Sequence, residues 1–184
     1  DGPFSEPIDE ASPIAPTTPY GTSKWQAEQA LDGLCREAAV SLIRLRPPLV
    51  YAPNAPGSIA MLRKAIERRI PLPFASIQNR RSLIALEDLV AFLERVVLDL
   101  DGKSSVFVVA NPKPVATPEI ARHVANYFNL YPFIFNASPK VLGGLLSIFR
   151  LGRMRGQLLH DYVIRPLSDE ILPAWRPNHS PLVP

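Results

Sequence analysis

Cysteine is nearly absent from this chain of 184 residues, which has a single one at Cys35. One cysteine excludes an internal disulfide and suits a reducing compartment, so we expect a cytoplasmic protein. Cys35 falls on the apolar side of a predicted helix, which favours a buried, unreactive thiol. Long apolar runs are also lacking: none reaches the ~18 residues of a membrane span, and we expect no membrane partner.

Glycine-rich turns and clustered metal ligands are missing as well. The nine glycines are scattered, without the cluster that lets a backbone approach a phosphate after a strand. The three histidines, His123, His160 and His179, have no ligand spacing with acids or cysteine, so we predict no metal site. A net charge of +3 is compatible with a phosphorylated ligand but gives little support for nucleic acid binding.

Proline, by contrast, is abundant: there are 21, many of them in the extended stretches 3–19 and 166–184. Between these stretches, short aliphatic runs predict strands over 40–45, 72–77, 82–86 and 106–110. Apolar periodicity predicts helices over 19–39, 59–69, 87–98, 117–128 and 139–151, with a short one after Ser168. The first and fourth helices are expected to start on a threonine cap followed by proline, at Thr18 and Thr117.

The spacing of Tyr20 and Lys24 is the first sign of chemistry. Residues four apart lie on one face of a helix, about one turn from each other. A phenol is a poor base at neutral pH, but a nearby ammonium favours the phenolate and makes it a usable proton acceptor. Taken alone the pattern is weak, because a surface tyrosine and a solvated lysine produce it by chance.

The surroundings of this pair make the pattern more specific. Segments 19–24, 43–53 and 81–89, in this order and spacing, closely resemble the extended short-chain dehydrogenase/reductases of the NAD-dependent epimerase/dehydratase family. The resemblance is strong to about Ala110 and is greatest to the UDP-glucose and UDP-N-acetylglucosamine 4-epimerase-like members. It implies an α/β fold, with the C-terminal part of a Rossmann-type parallel sheet and a smaller mixed α/β substrate-binding domain.

The resemblance also implies a division into domains. Residues 1–51 form the remainder of a dinucleotide-binding domain, and residues 52–184 form mainly the substrate-binding domain, with 82–110 returning to the Rossmann sheet. The family's glycine-rich turn and catalytic serine or threonine come before the position of Asp1, so we expect an inactive C-terminal fragment of a longer protein. The segment 175–177 resembles the family's closing Gly-Trp-x-Pro element, which we interpret as packing.

By resemblance, Tyr20 is the general base at a sugar hydroxyl, and Lys24 holds the nicotinamide ribose of NAD, or of NADP in its place. Pro47 and Pro48 end a predicted strand at the point where the family contacts the nicotinamide. These four residues are therefore the expected cofactor-binding positions, and Tyr20 and Lys24 are the expected catalytic pair.

Arg81 matches the family arginine that binds the substrate diphosphate, and its guanidinium fork suits paired phosphate oxygens. Arg80 should point the other way, towards solvent. Leu49 matches a position where family members with asparagine form a hydrogen bond to the substrate, which leucine cannot form. Ser58 falls near a position that contacts the nucleotide. Leu72 and Phe74 match a segment whose backbone holds the uracil base, although Phe74 fits the core equally well.

The function that the resemblance implies is an NAD-dependent nucleotide-sugar 4-epimerase, which returns hydride to the opposite face of a keto intermediate. A nucleotide-sugar 4-dehydrogenase or ketoreductase uses the same tyrosine and lysine, and a non-catalytic nucleotide-sugar-binding remnant is a further alternative. The expected partners are a UDP-sugar or related nucleotide sugar and, for the full-length protein, a second copy of the chain.

Overall fold

Helices and strands alternate along the chain, as the sequence predicts for an α/β fold. The structure is a computed structural model and describes residues 6–52, 54–99, 104–138, 142, 158–165, 175 and 177. In chain order its elements are α1 (Pro19–Glu37), β1 (Ile43–Leu45), β2 (Leu49–Tyr51), α2 (Ser58–Glu67), β3 (Leu83–Ala85), α3 (Leu86–Asp99), β4 (Ser105–Phe107) and α4 (Thr117–Tyr127). The helices predicted for 139–151 and after Ser168 lie outside the described residues, except for Leu142.

The two strand pairs of the described residues are both parallel. β1 pairs with β4, with Arg44 beside Val106, and β2 pairs with β3, with Val50 beside Ile84. Parallel neighbours need a crossover that returns the chain to the same end of the sheet, and helices occur in the intervening chain of both pairs. The predicted fold class, α/β with parallel Rossmann-type strands, is confirmed.

Several strand predictions need correction. The strand predicted over 40–45 is shorter because the N–H of Val40 donates to the oxygen of Cys35 at 2.8 Å and so still belongs to the helix end. The segment 72–77 contributes only an isolated bridge at Leu72, since the flanking prolines have no N–H for a ladder. β2 was not predicted, because the proline pair before it was interpreted only as a strand end.

Three helices end in the same way, which explains why their predicted ends are too late. The second residue after each of α1, α2 and α4 has a left-handed backbone conformation. The φ angles are 54° at Ala39, 53° at Arg69 and 52° at Asn129. The next residue is apolar in each case, and its N–H donates to a carbonyl five residues back, as in Ile70 to Ala65 at 2.9 Å. The apolar pattern therefore continues past the last helical residue.

The predicted threonine caps differ in outcome. Thr18 caps α1, and its hydroxyl oxygen accepts a hydrogen bond from the N–H of Gly21 at 3.0 Å. The cap predicted at Thr117 is wrong, because Ala116 is the cap residue of α4 and its N–H donates to Glu119 at 2.8 Å. The Thr117 hydroxyl donates instead to the carbonyl oxygen of Leu158 at 3.3 Å, so it joins α4 to a later segment.

Two main cores hold these elements together. One lies around α2, α4 and β2, and its buried members include Tyr51, Ile59, Ile66, Leu72, Phe74, Leu83, Ile120 and Val124. The other lies between α3 and the β1–β4 pair, where the ring of Phe92 meets those of Phe107 and Trp175 edge-on at 5.4 and 5.0 Å. Trp175 is buried, which confirms the packing role that the sequence predicts for it.

Helix α1 lies apart from both cores, since none of its residues is buried. Two ion pairs connect it to the chain at β1: Glu28 with Arg46, and Asp32 with Arg44 at 3.4 Å. The predicted burial of Cys35 is therefore wrong, and its side chain is only half-buried. Among the described helices, none combines the length and the apolar character needed to cross a membrane.

Candidate active site

Tyr20 and Lys24 lie in the first two turns of α1, where the Thr18 cap fixes the start of the helix. The Lys24 ammonium is over the Tyr20 ring, with Nζ 5.5 Å from the ring centre. Both side chains are exposed, Tyr20 by 68%. The two side chains therefore lie together on an open surface, where a bound molecule can reach both.

The loop after β1 starts beside the same helix. The N–H of Arg46 donates to the oxygen of Phe107 at 2.9 Å, and its Nε donates to Glu28 at 3.1 Å. Glu28 follows Lys24 by one helical turn, so this ion pair ties the start of the loop to the helix that carries the pair. Pro47 is exposed in this loop and Pro48 is buried. The sequence pattern did not reveal the link between Arg46 and Glu28.

Three of the predicted substrate positions have side chains that pack in the core. Leu72 and Phe74 are buried in the larger core, and Leu49 on β2 packs against it. The side chains of Leu72 and Phe74 are therefore not available to a ligand. The predicted contact between the backbone of 72–74 and a uracil base stays a prediction. Ser58 is exposed at the start of α2, directly after Gly57, which has a φ of 73°.

Arg81 lies between two backbone segments that meet it from opposite sides. Arg81 and Val115 exchange both N–H···O bonds at 2.9 Å, and the N–H of Ser82 donates to the oxygen of Tyr162 at 2.7 Å. The guanidinium carbon is 5.9 Å from the centre of the Tyr162 ring, within the range of a cation–π contact. Arg80 is exposed on the other side, as predicted.

Burial governs the electrostatics of this position. Desolvation lowers the pKa of the partly buried Arg81 guanidinium, an effect that nearby Tyr162 and Asp161 oppose. Desolvation also raises the pKa of the Tyr162 phenol, while the Arg81 charge acts in the opposite direction. A guanidinium keeps its charge at neutral pH, so a partly desolvated cation persists here, and such a cation favours an anionic ligand.

Asn79 and Tyr162 are contributors to this position that the sequence did not reveal. Asn79 is buried, and its side-chain oxygen accepts a hydrogen bond from the N–H of Thr117 at 2.9 Å. It therefore links the segment before Arg81 to α4, although in the sequence it looks like an ordinary turn residue. Within the described part of the chain, no group of three or more His, Cys, Asp or Glu residues is arranged to hold a metal ion.

The chain has relatives among known proteins. The family model of the NAD dependent epimerase/dehydratase family matches residues 1–110, the range in which the motifs occur. A UDP-glucose 4-epimerase of Vibrio cholerae is 35% identical over 112 residues, which is 60% of this chain and 34% of that enzyme.

Two solved structures have a similar fold. A UDP-glucose 4-epimerase of Thermus thermophilus, determined in complex with NAD, superposes on 98% of this chain and 55% of its own, with a TM-score of 0.69 and 20% identity. A UDP-N-acetylglucosamine 4-epimerase of Bacillus cereus superposes on 97% of this chain and 56% of its own, with a TM-score of 0.69 and 15% identity.

The matched region thus spans about a third of the Vibrio enzyme and about half of the two solved structures. The family match covers more than half of this chain and includes all three motif segments. On these grounds the chain belongs to the NAD dependent epimerase/dehydratase family.

Proposed function

We propose that this chain is the tyrosine-bearing and substrate-binding part of an NAD-dependent nucleotide-sugar 4-epimerase. The observation that carries the proposal is the Lys24 ammonium over the exposed Tyr20 ring, 5.5 Å from its centre, inside the region that matches the family. The Vibrio cholerae relative, named as a UDP-glucose 4-epimerase, supports a sugar nucleotide as the substrate.

The residues fit one end of a dinucleotide. Tyr20 and Lys24 offer a hydroxyl and an ammonium on an exposed helix face, and the Arg46–Glu28 pair ties the loop of Pro47 and Pro48 to that helix. This set suits the ribose and ring of a nicotinamide nucleotide. The sequence has no glycine cluster for the pyrophosphate, so the chain supplies only part of the cofactor site. When bound, NAD is the hydride acceptor for the sugar carbon.

The chain's own residues then have distinct tasks. Tyr20 takes the proton of the sugar hydroxyl, and Lys24 holds the ribose hydroxyls. Arg81 binds the diphosphate, because its fork of donors pairs with two phosphate oxygens. Together these contacts align the sugar carbon for hydride transfer and exclude alternative orientations.

The decisive experiment is Tyr20→Phe in the protein that contains this chain. We expect UDP-sugar epimerisation to fall by about 10²- to 10⁴-fold, since general base catalysis contributes that much, while UDP binding is unchanged. Tyr127→Phe is the matched control, because Tyr127 is another exposed tyrosine, on α4, and it should retain full activity. Full activity of Tyr20→Phe would refute the assignment of the base, and stoichiometric release of NADH by the unaltered protein would favour a dehydrogenase.

We also infer that the chain by itself binds UDP more tightly than NAD and turns over no UDP-sugar. The basis is the absence of a glycine-rich turn together with the half of the solved relatives that has no counterpart here. Titration calorimetry of the chain with each ligand tests this proposal. Tight NAD binding by the chain would contradict it.

A homodimer that packs α1 of each subunit is a further part of the proposal. α1 buries none of its residues, and Leu31 and Leu34 are 48% and 62% exposed. Apolar side chains on an otherwise solvated helix favour a helix–helix contact. A location in the cytoplasm accords with the single cysteine and stays a prediction.

A further inference from the structure

The extended segment after α4 exposes three aromatic side chains. Tyr131, Phe133 and Phe135 are 93%, 59% and 39% exposed. The rings of Phe133 and Phe135 stack on each other, with centres 6.0 Å apart and planes inclined by 29°. Tyr131, Phe133 and Phe135 together form an aromatic edge of the protein.

The backbone explains why these rings point outwards. The N–H of Leu72 donates to the oxygen of Phe133 at 2.8 Å, and the N–H of Phe135 donates back to the oxygen of Leu72 at 3.0 Å. Ile134 thus pairs with Leu72, and both side chains belong to the larger core. Alternation along an extended segment places Phe133 and Phe135 on the opposite face.

Phenylalanine on the outward face of an extended segment is unusual. A segment with one face on the core normally has polar residues on the other, and the core here is completed by Ile134 and Leu72 without the two exposed rings. The aromatic edge is therefore unnecessary for packing of the described residues. An exposed apolar cluster of this kind marks a surface that meets another body.

The end of α2 provides basic side chains beside this edge. Two to four residues before Leu72 it has the exposed Arg68 and Arg69 and the 47% exposed Ile70. Glu67, the acid that precedes them, is paired with Arg63 at 3.3 Å. In the sequence, the stretch 120–160 contains five lysines and arginines and none of the 17 acidic residues of the chain. An exposed aromatic surface beside two exposed arginines fits an anionic partner.

We infer that the aromatic edge docks on an anionic lipid surface, with the rings at the headgroup boundary and the basic residues over the headgroups. Aromatic side chains favour this boundary, and each lysine or arginine near an anionic membrane raises affinity by roughly fivefold. Docking of this kind needs no spanning helix. A single-stranded nucleic acid fits less well, because its bases stack on free ring faces and these two rings stack on each other.

The test is cosedimentation of the full chain with two kinds of vesicle, phosphatidylcholine alone and phosphatidylcholine mixed with phosphatidylglycerol. We expect binding to the mixed vesicles only, and weaker binding as salt is added. The double substitution Phe133→Ser and Phe135→Ser should reduce that binding by about tenfold or more, because the apolar contact is lost. Arg68→Glu with Arg69→Glu should reduce it as well, through charge.

The matched control is Ile14→Ser with Val40→Ser, which removes two apolar side chains that are 40% and 58% exposed and lie outside the helices. This variant should bind the mixed vesicles as the unaltered chain does. Equal loss in the control, equal binding to both vesicles or no binding to either overturns the proposal. The proposal also fails if the chain is a dimer that binds no vesicles and that the phenylalanine substitutions dissociate. The edge is then a contact between two copies of the chain. Should the phenylalanine variant unfold, the arginine variant alone decides.

Discussion

The Arg81 guanidinium lies 5.9 Å from the centre of the Tyr162 ring, and the two residues are parallel neighbours in a backbone bridge. Backbone bonds on both sides fix the main chain of Arg81, and its side chain is partly buried. The ring then limits the remaining freedom of the side chain. At the scale of single residues, we propose that Tyr162 positions Arg81 for the proposed diphosphate ligand.

A binding series on the chain tests this role. Arg81→Lys should weaken UDP binding about tenfold, because a point charge replaces a two-donor fork. Tyr162→Leu should weaken it about two- to fivefold through loss of the cation–π contact, and Tyr162→Phe, which keeps the ring, should restore it. Calorimetry with uridine, which has no diphosphate, should give equal affinities for all of these proteins. If only Arg81→Lys has an effect, the diphosphate site stands and the role of Tyr162 is wrong.

At the scale of elements, β2 and α4 meet through Tyr51 and His123, whose rings lie edge to face with centres 5.4 Å apart. Burial raises the pKa of Tyr51 to about 12, with a further contribution from Tyr127. Burial lowers the pKa of His123. The contact therefore favours a neutral phenol and a neutral imidazole in the folded protein.

The sign of the resulting pH dependence follows from linkage. Because the folded state binds the His123 proton less readily than the unfolded state, stability is complete above the ordinary histidine value near ~6.5 and is lost as pH falls through the lower folded value. Urea unfolding between neutral and mildly acidic pH should show this loss, and His123→Gln should reduce it. Tyr51→Phe should keep the loss, and it should raise stability by up to about 1 kcal/mol, since the Tyr51 hydroxyl is buried with no hydrogen-bond partner among the described residues. A pH slope identical in His123→Gln and the unaltered protein would rule this account out.

The junction of β3, α3 and the segment after β4 depends on two buried polar residues. The side-chain amide of Asn111 donates to Asp88 at 2.6 Å, and its oxygen accepts from the N–H of Ala85 at 2.7 Å. Asn111→Ala should reduce the free energy of unfolding by about 2–5 kcal/mol, because it deprives a buried carboxylate and a buried N–H of these bonds. Asn126→Ala on the exposed side of α4 is the control, with a change within about 0.5 kcal/mol. Similar midpoints for the two variants in urea would contradict this view.

At the scale of the whole molecule, the sheet of β1 and β4 has helices on both faces. Arg44 and Arg46 reach α1 on one face, and Leu45 between them packs towards α3 on the other. Neither helix is covered on its outside, because α1 buries nothing and Val97 on α3 is 79% exposed. α3 also exposes a set of large apolar side chains, and an exposed apolar face of this size marks a contact surface: Leu86, Val90, Leu93, Val97 and Leu98.

This arrangement predicts self-association of the isolated chain. Leu93→Lys with Val97→Lys should lower the apparent mass in size-exclusion chromatography without loss of helical signal, since both side chains are exposed. In a longer protein whose additional half covers α3, the same substitutions should instead lower the melting temperature. An unchanged apparent mass of the chain, together with an unchanged melting temperature of the longer protein, would show that the outside of α3 is not an interface.

The sequence by itself determined the family, the α/β class, most helix positions and the shared face of Tyr20 and Lys24. The helix positions and the shared face depend on residues a few positions apart, whose neighbours are set by helical geometry. The family and the fold class depend on the order of three motif segments, which can be read without knowing their contacts. Only the tertiary structure decided that Tyr162 meets Arg81, that Leu72 and Phe74 belong to the core, and that Phe133 and Phe135 face outwards. Each of these depends on which distant segment pairs with which, and a register shift of one residue in an extended segment exchanges its two faces.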